Sequence, residues 1–136
     1  MSKIEKFEDL IAWQKAKTFA VKIYNATYEE KFAKDYGLKD QIRRASISIV
    51  SNIAEGFERK GNKEFLQFLY ISLGSVAEVK TQLIISFELD YMSEIVYNEL
   101  NILIIEIQKI IKGLVSYIRE SDLKGSKFVD KKLPHS

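Results

Sequence analysis

The sequence predicts an all-α protein, folded as an up-down-up-down antiparallel four-helix bundle, and three observations point there. Apolar residues recur at three- and four-residue steps along four segments of roughly 20 to 28 residues. Short breaks carrying Asp35-Tyr36-Gly37, Gly61-Asn62 and Ser93 part those segments, and connections so short make neighbouring helices antiparallel. The single proline, Pro134, stands near the end, so nothing interrupts a helix before it, and no period-two alternation competes.

The first helix is expected over residues 8–31. Leu10, Trp13, Ala16, Ala20, Ile23 and Thr27 share one side, with Lys15, Lys22 and Glu29 on others. Trp13 and Phe19 read as packing residues, since aromatics at helical spacing belong to cores. Gly37 suits the positive φ of a helix-ending or turn position.

A second helix follows from about Lys39 to Lys60. Leu38, Ile42, Ala45, Ile49, Ile53 and Gly56 cluster on one side, with Val50 and Phe57 extending it and Ile47 and Ala54 widening it. That arc is too broad for a helix half bathed in solvent, so the helix is central or meets another subunit. Opposite runs a narrow polar stripe of Arg44, Ser48, Ser51, Asn52, Glu55 and Arg59.

Asn62 is the expected N-cap of a third helix running to about Asp90. Phe65, Leu69, Ser72, Val76, Val79, Leu83 and Ser86 form its seam, and Leu66, Leu73, Ala77 and Ile84 form a second stripe. Gly74-Ser75 sits mid-helix, where a missing side chain lets another helix approach. A helical glycine costs about 1 kcal/mol relative to alanine, which close packing would offset. Ser93 is the expected cap of the fourth helix. Its seam is Val96, Leu100, Leu103, Ile107, Ile110, Leu114 and Tyr117, with Ile104, Ile111 and Ile118 repeating beside it. One bundle domain over 1–120 is therefore expected, followed by a flexible basic tail over 121–136.

Composition narrows the function. The chain has 136 residues, 46% hydrophobic and 29% charged, an ordinary globular balance for one domain. It has no cysteine, which removes disulfides and thiol chemistry and fits a cytoplasmic protein. The amino terminus has no signal-like apolar core, and no uninterrupted apolar run of about 18 residues is present, so no membrane contact is expected. A net charge of +2 is too mild to demand nucleic acid. Its distribution is more telling: residues 38–60 carry five basic and three acidic groups, whereas residues 61–90 carry two basic and four acidic.

Reactive sites are scarce. A di-metal site in a bundle needs Glu-x-x-His pairs facing inward, and the only histidine is His135 in the tail. The same shortage removes Ser-His-Asp catalysis, and no glycine-rich phosphate loop is present, so no cofactor, metal or small-molecule substrate is expected. Glu55 and Glu78 lie on helices expected to be neighbours and could do acid–base work. Ion pairing with Arg44, Arg59 and Lys80 is the better account, and Glu55 with Arg59 has the favourable i,i+4 order. Arg43 and Arg44 project about 100° apart and serve different surfaces, with Arg43 the better candidate for an outside partner. A phosphate-binding set would comprise Arg43, Arg44, Arg59, Lys60 and Lys63, joined by Lys39 and the tail lysines. No base-stacking signature of the kinds seen in known RNA modules is present.

Three stretches carry a resemblance: FEDLIAWQKA, then GLKDQIRRASISIVSNIAEGFER, then EFLQFLYISLGSVAEVKTQL. Together they resemble the four-helix bundle proteins encoded in intervening sequences of 23S ribosomal RNA genes, over about residues 7–118. The Ser-Asn-x-Ala-Glu-Gly segment at 51–56 is the most specific part, and the accessory variability proteins of diversity-generating retroelements are similar. The resemblance implies a four-helix subunit, a ring-shaped homopentamer and no known catalytic activity. Family members are associated with RNA genes, and the retroelement relatives look like partners of a reverse transcriptase and nucleic acid. The family's motif falls here on Gln41, Arg43, Arg44, Ser48, Asn52, Glu55, Gly56 and Arg59, then on Gly74, Ser75 and Glu78. The leading expectation is thus a non-enzymatic homo-oligomer that binds RNA or a ribonucleoprotein. A protein-binding scaffold, whose polar stripe serves assembly alone, is the alternative, and an enzyme using Glu55 and Glu78 is a third class.

Overall fold

All four periodic segments become helices, and the departures from expectation are concentrated at their ends. A computed structural model describes residues 4–123 of the protein. It comprises a 3-10 turn, Phe7–Asp9, and five α-helices: α1 (Ile11–Ala26), α2 (Glu30–Lys34), α3 (Tyr36–Glu58), α4 (Asn62–Glu88) and α5 (Glu94–Leu123). No strand occurs among the described residues.

The expected helix over 8–31 is therefore three pieces. α1 ends at Thr27, whose buried hydroxyl donates to the carbonyls of Ile23 at 2.9 Å and Tyr24 at 3.0 Å. After it, the short α2 turns Phe32 inward, fully buried, with its ring 5.2 Å from that of Tyr91. The break expected at Gly37 lies two residues earlier. Asp35 Oδ1 accepts from the Leu38 amide at 3.1 Å, an N-cap that starts α3 at Tyr36 and puts Gly37 inside its first turn. Asn62 is likewise inside its helix, buried, and Gly61 holds the cap position. Ser93 behaves as expected, its hydroxyl accepting from the Val96 amide at 3.2 Å.

The left-handed conformations that sequence reasoning reserved for glycine fall on Lys60 and Asp90, each with φ of 62°. Asp90 closes α4 in a Schellman arrangement: the Tyr91 amide reaches the Ser86 carbonyl and the Asp90 amide reaches that of Phe87, both at 2.9 Å. The last helix continues through Ser121–Leu123, residues expected to begin the tail. The remainder of the expected basic tail, 124–136, lies outside the described residues.

Each long helix packs on two others: α1 on α3 and α5, α4 on α3 and α5. Lys15 pairs with Glu106 and Lys22 with Glu99, so residue numbers run in opposite senses along α1 and α5. Likewise Lys80 reaches Gln108 while Arg119 reaches Tyr70, across α4 and α5. Ser75 meets Ser48, and Gly56 meets Phe65 and Phe68, across α3 and α4.

The α4 seam is buried throughout, as its spacing predicts: Phe65, Leu69, Ser72, Val76, Val79, Leu83 and Ser86. In α5 the core line is rotated from the expected seam. Ile104, Ile111 and Ile118, expected beside it, are fully buried, while Leu103, Ile110 and Tyr117 are half-buried. Periodicity marks a stripe, but the grooves of α1 and α4 decide which edge of that stripe points inward.

By length and composition alone, α4 is apolar enough to cross a membrane, which the sequence reading did not expect. Its apolar residues divide between the seam and an exposed strip. Ile71 is 50% exposed, Ile84 48% and Ile85 44%, around Gly74, Ala77 and Thr81.

One polar brace ties the two loop regions at this end together. The Tyr91 hydroxyl donates to Asp35 Oδ2 at 2.9 Å, and that bond to a carboxylate, with burial and the nearby negative charge, raises the phenol above its usual 10.0. A phenol that holds its proton longer in the folded state contributes stability below pH 10 that is lost as pH rises through the folded value. Tyr91→Phe should therefore flatten the alkaline limb of a melting-temperature profile between about pH 9 and 11 relative to the parent. Superimposable limbs would show that the hydrogen bond does not discriminate between the two protonation states.

Candidate functional site at the α3–α4 seam

The polar stripe of α3 does not lie open to solvent along its length. Its small side chains meet α4, where Ser48 Oγ accepts from Ser75 Oγ at 2.8 Å. Asn52 Nδ2 donates to the Ser48 carbonyl at 2.8 Å and to its hydroxyl at 3.0 Å. One turn deeper, Ser72 Oγ donates to the Ile49 carbonyl at 2.9 Å, fully buried. Short hydroxyls at these positions let the backbones approach while satisfying every hydroxyl in the seam.

Gly56 is the closest point. A Cβ there would stand 2.7 Å from Phe68 Cβ and 3.0 Å from a Phe65 ring carbon. The close approach expected at Gly74 is not found within the subunit: nothing lies within 4 Å of a Cβ built there. Of the Gly74-Ser75 pair, only Ser75 serves the seam.

Toward the N-terminal end of α3 the seam opens into two adjoining shallow grooves. The first, about 260 Å³, is lined by Gln41, Arg44, Ala45, Ser48, Glu78 and Gln82. The second, about 400 Å³, shares Gln41, Glu78 and Gln82 and continues to Leu38 and Ile85. Sequence reasoning missed Gln82, which is buried with its Oε1 lacking a hydrogen-bond partner among the described residues. A signal existed, since Gln82 lies seven residues after Ser75 on the same face.

Glu55 and Glu78 are not brought together. From the Ser48–Ser75 contact they lie in opposite directions along the seam, ten helical residues apart in total, or about 15 Å. Glu55 pairs with Arg59 at 2.9 Å, as its spacing predicts, while Glu78 has no ion pair among the described residues. Lys80, expected beside the carboxylates, turns to Gln108 at 3.3 Å. No group of three or more His, Cys, Asp or Glu is arranged to hold a metal ion among the described residues.

Arg43, expected to face an outside partner, is instead engaged within the subunit, while Arg44 stays with the polar stripe and lines the groove. Arg43 is half-buried: its Nε donates to Thr27 Oγ1 at 2.8 Å and its Nη2 to the Tyr24 carbonyl at 3.5 Å. Its guanidinium lies over Tyr24 and Tyr28, at 4.4 and 4.9 Å from the ring centroids. Arg44 is exposed and makes no hydrogen bond or ion pair among the described residues. Arg59 lies over the Phe68 ring at 5.1 Å, Lys60 over Phe57 at 4.6 Å, and exposed Lys63 opens α4 one turn on.

This combination defines a class: an all-helical protein whose most distinctive residues build a helix–helix seam and a flanking groove. Residues 8–113 match the model of the 23S rRNA-intervening sequence protein family, and the chain belongs to that family. It is similar to the crystal structure of a protein of unknown function from the S23 ribosomal protein family of Bacteroides thetaiotaomicron. Identity is 26% and the TM-score 0.74, over 79% of this chain and 97% of that one. No curated protein matches the chain.

Proposed function

We propose that this chain is a non-enzymatic, up-down-up-down antiparallel four-helix subunit that assembles into a homo-oligomer and binds RNA or a ribonucleoprotein. The observation that carries assembly is the exposed strip of α4, where Ile71, Ile84 and Ile85 flank Gly74, Ala77 and Thr81. Three exposed isoleucines on one helix face, with small residues and the carboxylate of Glu78 among them, suit a surface that is covered in use. A membrane is a poor cover, because Glu78 and Lys80 stand near the middle of α4, and lysine at a bilayer centre costs about 2.5–3.5 kcal/mol. A second copy in the cytoplasm suits it better, and the family resemblance implies a ring of five.

The RNA reading draws on the family and on Arg59, Lys60 and Lys63, gathered where α3 turns into α4. Arg44, the exposed cation of the arginine pair, stands 15 residues before Arg59, about 22 Å away along α3, and forms no part of that cluster. The protein-binding scaffold is favoured by one fact of its own: Arg43 and Arg59 are already engaged inside the subunit.

Solution mass tests assembly. Gly74→Ala should stabilise the subunit by about 1 kcal/mol through helix propensity, as no neighbour obstructs it there. Gly74→Leu and Ile85→Lys should lower the oligomer's mass while leaving helical content unchanged. A parent that stays monomeric at high concentration ends the assembly reading. For RNA, affinity for a structured transcript should fall steeply with salt, and Lys63→Ala should reduce that slope by about one phosphate contact. No retention at low salt leaves the scaffold.

A further inference from the structure

We infer that the exposed strip of α4 is covered by the outer face of α5 from a second copy. The helices pack antiparallel, with Gly74, Glu78 and Ile85 of one copy opposite Gly113, Lys109 and Ile102 of the next. The inference rests on the assembly reading above and adds to it the partner surface and its register. α5 carries an apolar exposure of its own, since Ile95 is 83% exposed and Ile102 68%, both more than any isoleucine of α4.

The two faces bear matching residues at the same spacing, in reversed order. From Ile85, Glu78 lies seven residues back and Gly74 four further back. From Ile102, Lys109 lies seven residues on and Gly113 four further on. All six are exposed, and at about 100° per residue each trio falls within about 40° of arc, one line along its helix. Set antiparallel, a single register brings glycine to glycine, carboxylate to ammonium and isoleucine to isoleucine over about 16 Å. A parallel arrangement with the same ion pair sets Gly74 against Ile105 and Ile85 against Ser116, and loses the match.

Inside the subunit these residues lack their complements. Nothing lies within 4 Å of a Cβ built at Gly74 or at Gly113, so the bundle's own packing requires neither glycine. Glycine weakens a helix interior, and its use on two outer faces is accounted for where two backbones come close. Neither Glu78 nor Lys109 has an ion pair among the described residues, whereas Lys15 and Lys22 pair with Glu106 and Glu99. Two α4 lines packed about Glu78 would set like charges together, as would two α5 lines about Lys109. The contact therefore joins two different faces and repeats from copy to copy, closing a ring where the rotation allows.

The test is sedimentation of the full chain over a concentration series. Glu78→Lys and Lys109→Glu should each raise the concentration of half-assembly about tenfold or more, and the double variant should recover most of that loss. Helical content should be unchanged, because both positions are exposed. The chain has no cysteine, so introduced thiols report contacts directly. A chain carrying both Ile85→Cys and Ile102→Cys should oxidise to a ladder of linked chains, while either substitution alone should leave chains unlinked. Linking by Ile85→Cys alone would mean that α4 meets α4, and additive losses in the charge-swapped double variant would mean that the two ions do not meet; either result overturns the pairing. If Ile85→Lys lowers the mass while Lys109→Glu and Gly113→Leu do not, α5 is wrong as the partner and the assembly reading survives. A parent that stays monomeric at high concentration overturns both.

Discussion

Gly56→Ala is expected to destabilise the subunit by about 1–3 kcal/mol, the cost of forcing a methyl group into a filled helix crossing. The added Cβ would stand 2.7 Å from Phe68 Cβ, with the Phe65 carbonyl oxygen at 3.4 Å. Neither is the far end of a flexible side chain. Relief requires α3 and α4 to separate, which weakens the Ser48–Ser75 and Ser72–Ile49 hydrogen bonds further along the same seam. The Phe57–Phe65 edge-to-face pair, with centroids 5.9 Å apart, is displaced as well. Chemical denaturation of Gly56→Ala beside Gly74→Ala makes the measurement internal, since the two substitutions should move stability in opposite directions. Equal effects would show that the crossing at Gly56 relaxes at no cost.

Arg43→Met should cost about 2 kcal/mol, with two ring contacts worth roughly 0.5–1 kcal/mol each and a charge-assisted hydrogen bond lost together. Methionine keeps much of the apolar stem, so the loss reports on the guanidinium rather than on packing. Arg43→Lys should recover little of it, because an ammonium cannot lie flat against Tyr24 while donating to Thr27. Amide exchange should show the damage at the end of α1, near Tyr24 to Thr27, more than at the α4–α5 contact. Uniform loss of protection would mean that Arg43 contributes to global stability without specifically fixing that end.

The candidate seam was partly legible in the sequence. Ser48, Asn52, Glu55 and Gly56 stand out because small and polar residues interrupt an apolar period, and a close helix crossing demands that pattern. Glu55 with Arg59 followed from spacing alone. The neighbour expected at Gly74 is not supplied by the subunit itself, and a missing side chain does not say which helix lies over it. Arg43 beside Arg44 was illegible for a different reason. A helical wheel separates their directions but does not say that two tyrosines and a threonine from α1 wait on one side. Tyr24 and Tyr28 carried a signal, spaced four apart at a helix end, that only becomes meaningful once α1 lies against α3.

What the sequence determined by itself was the set of long helices and the apolar stripe of each. Those follow from local spacing and from the few breaks available to a chain with one late proline. Tertiary structure alone decided which edge of each stripe faces inward, as at Ile104, Ile111 and Ile118. It also decided which glycine is crowded, which arginine is occupied, and which half of α4 is left uncovered. Those outcomes depend on contacts between residues far apart in the chain, and an apolar period is equally satisfied by several rotations of its helix until neighbours fill the grooves.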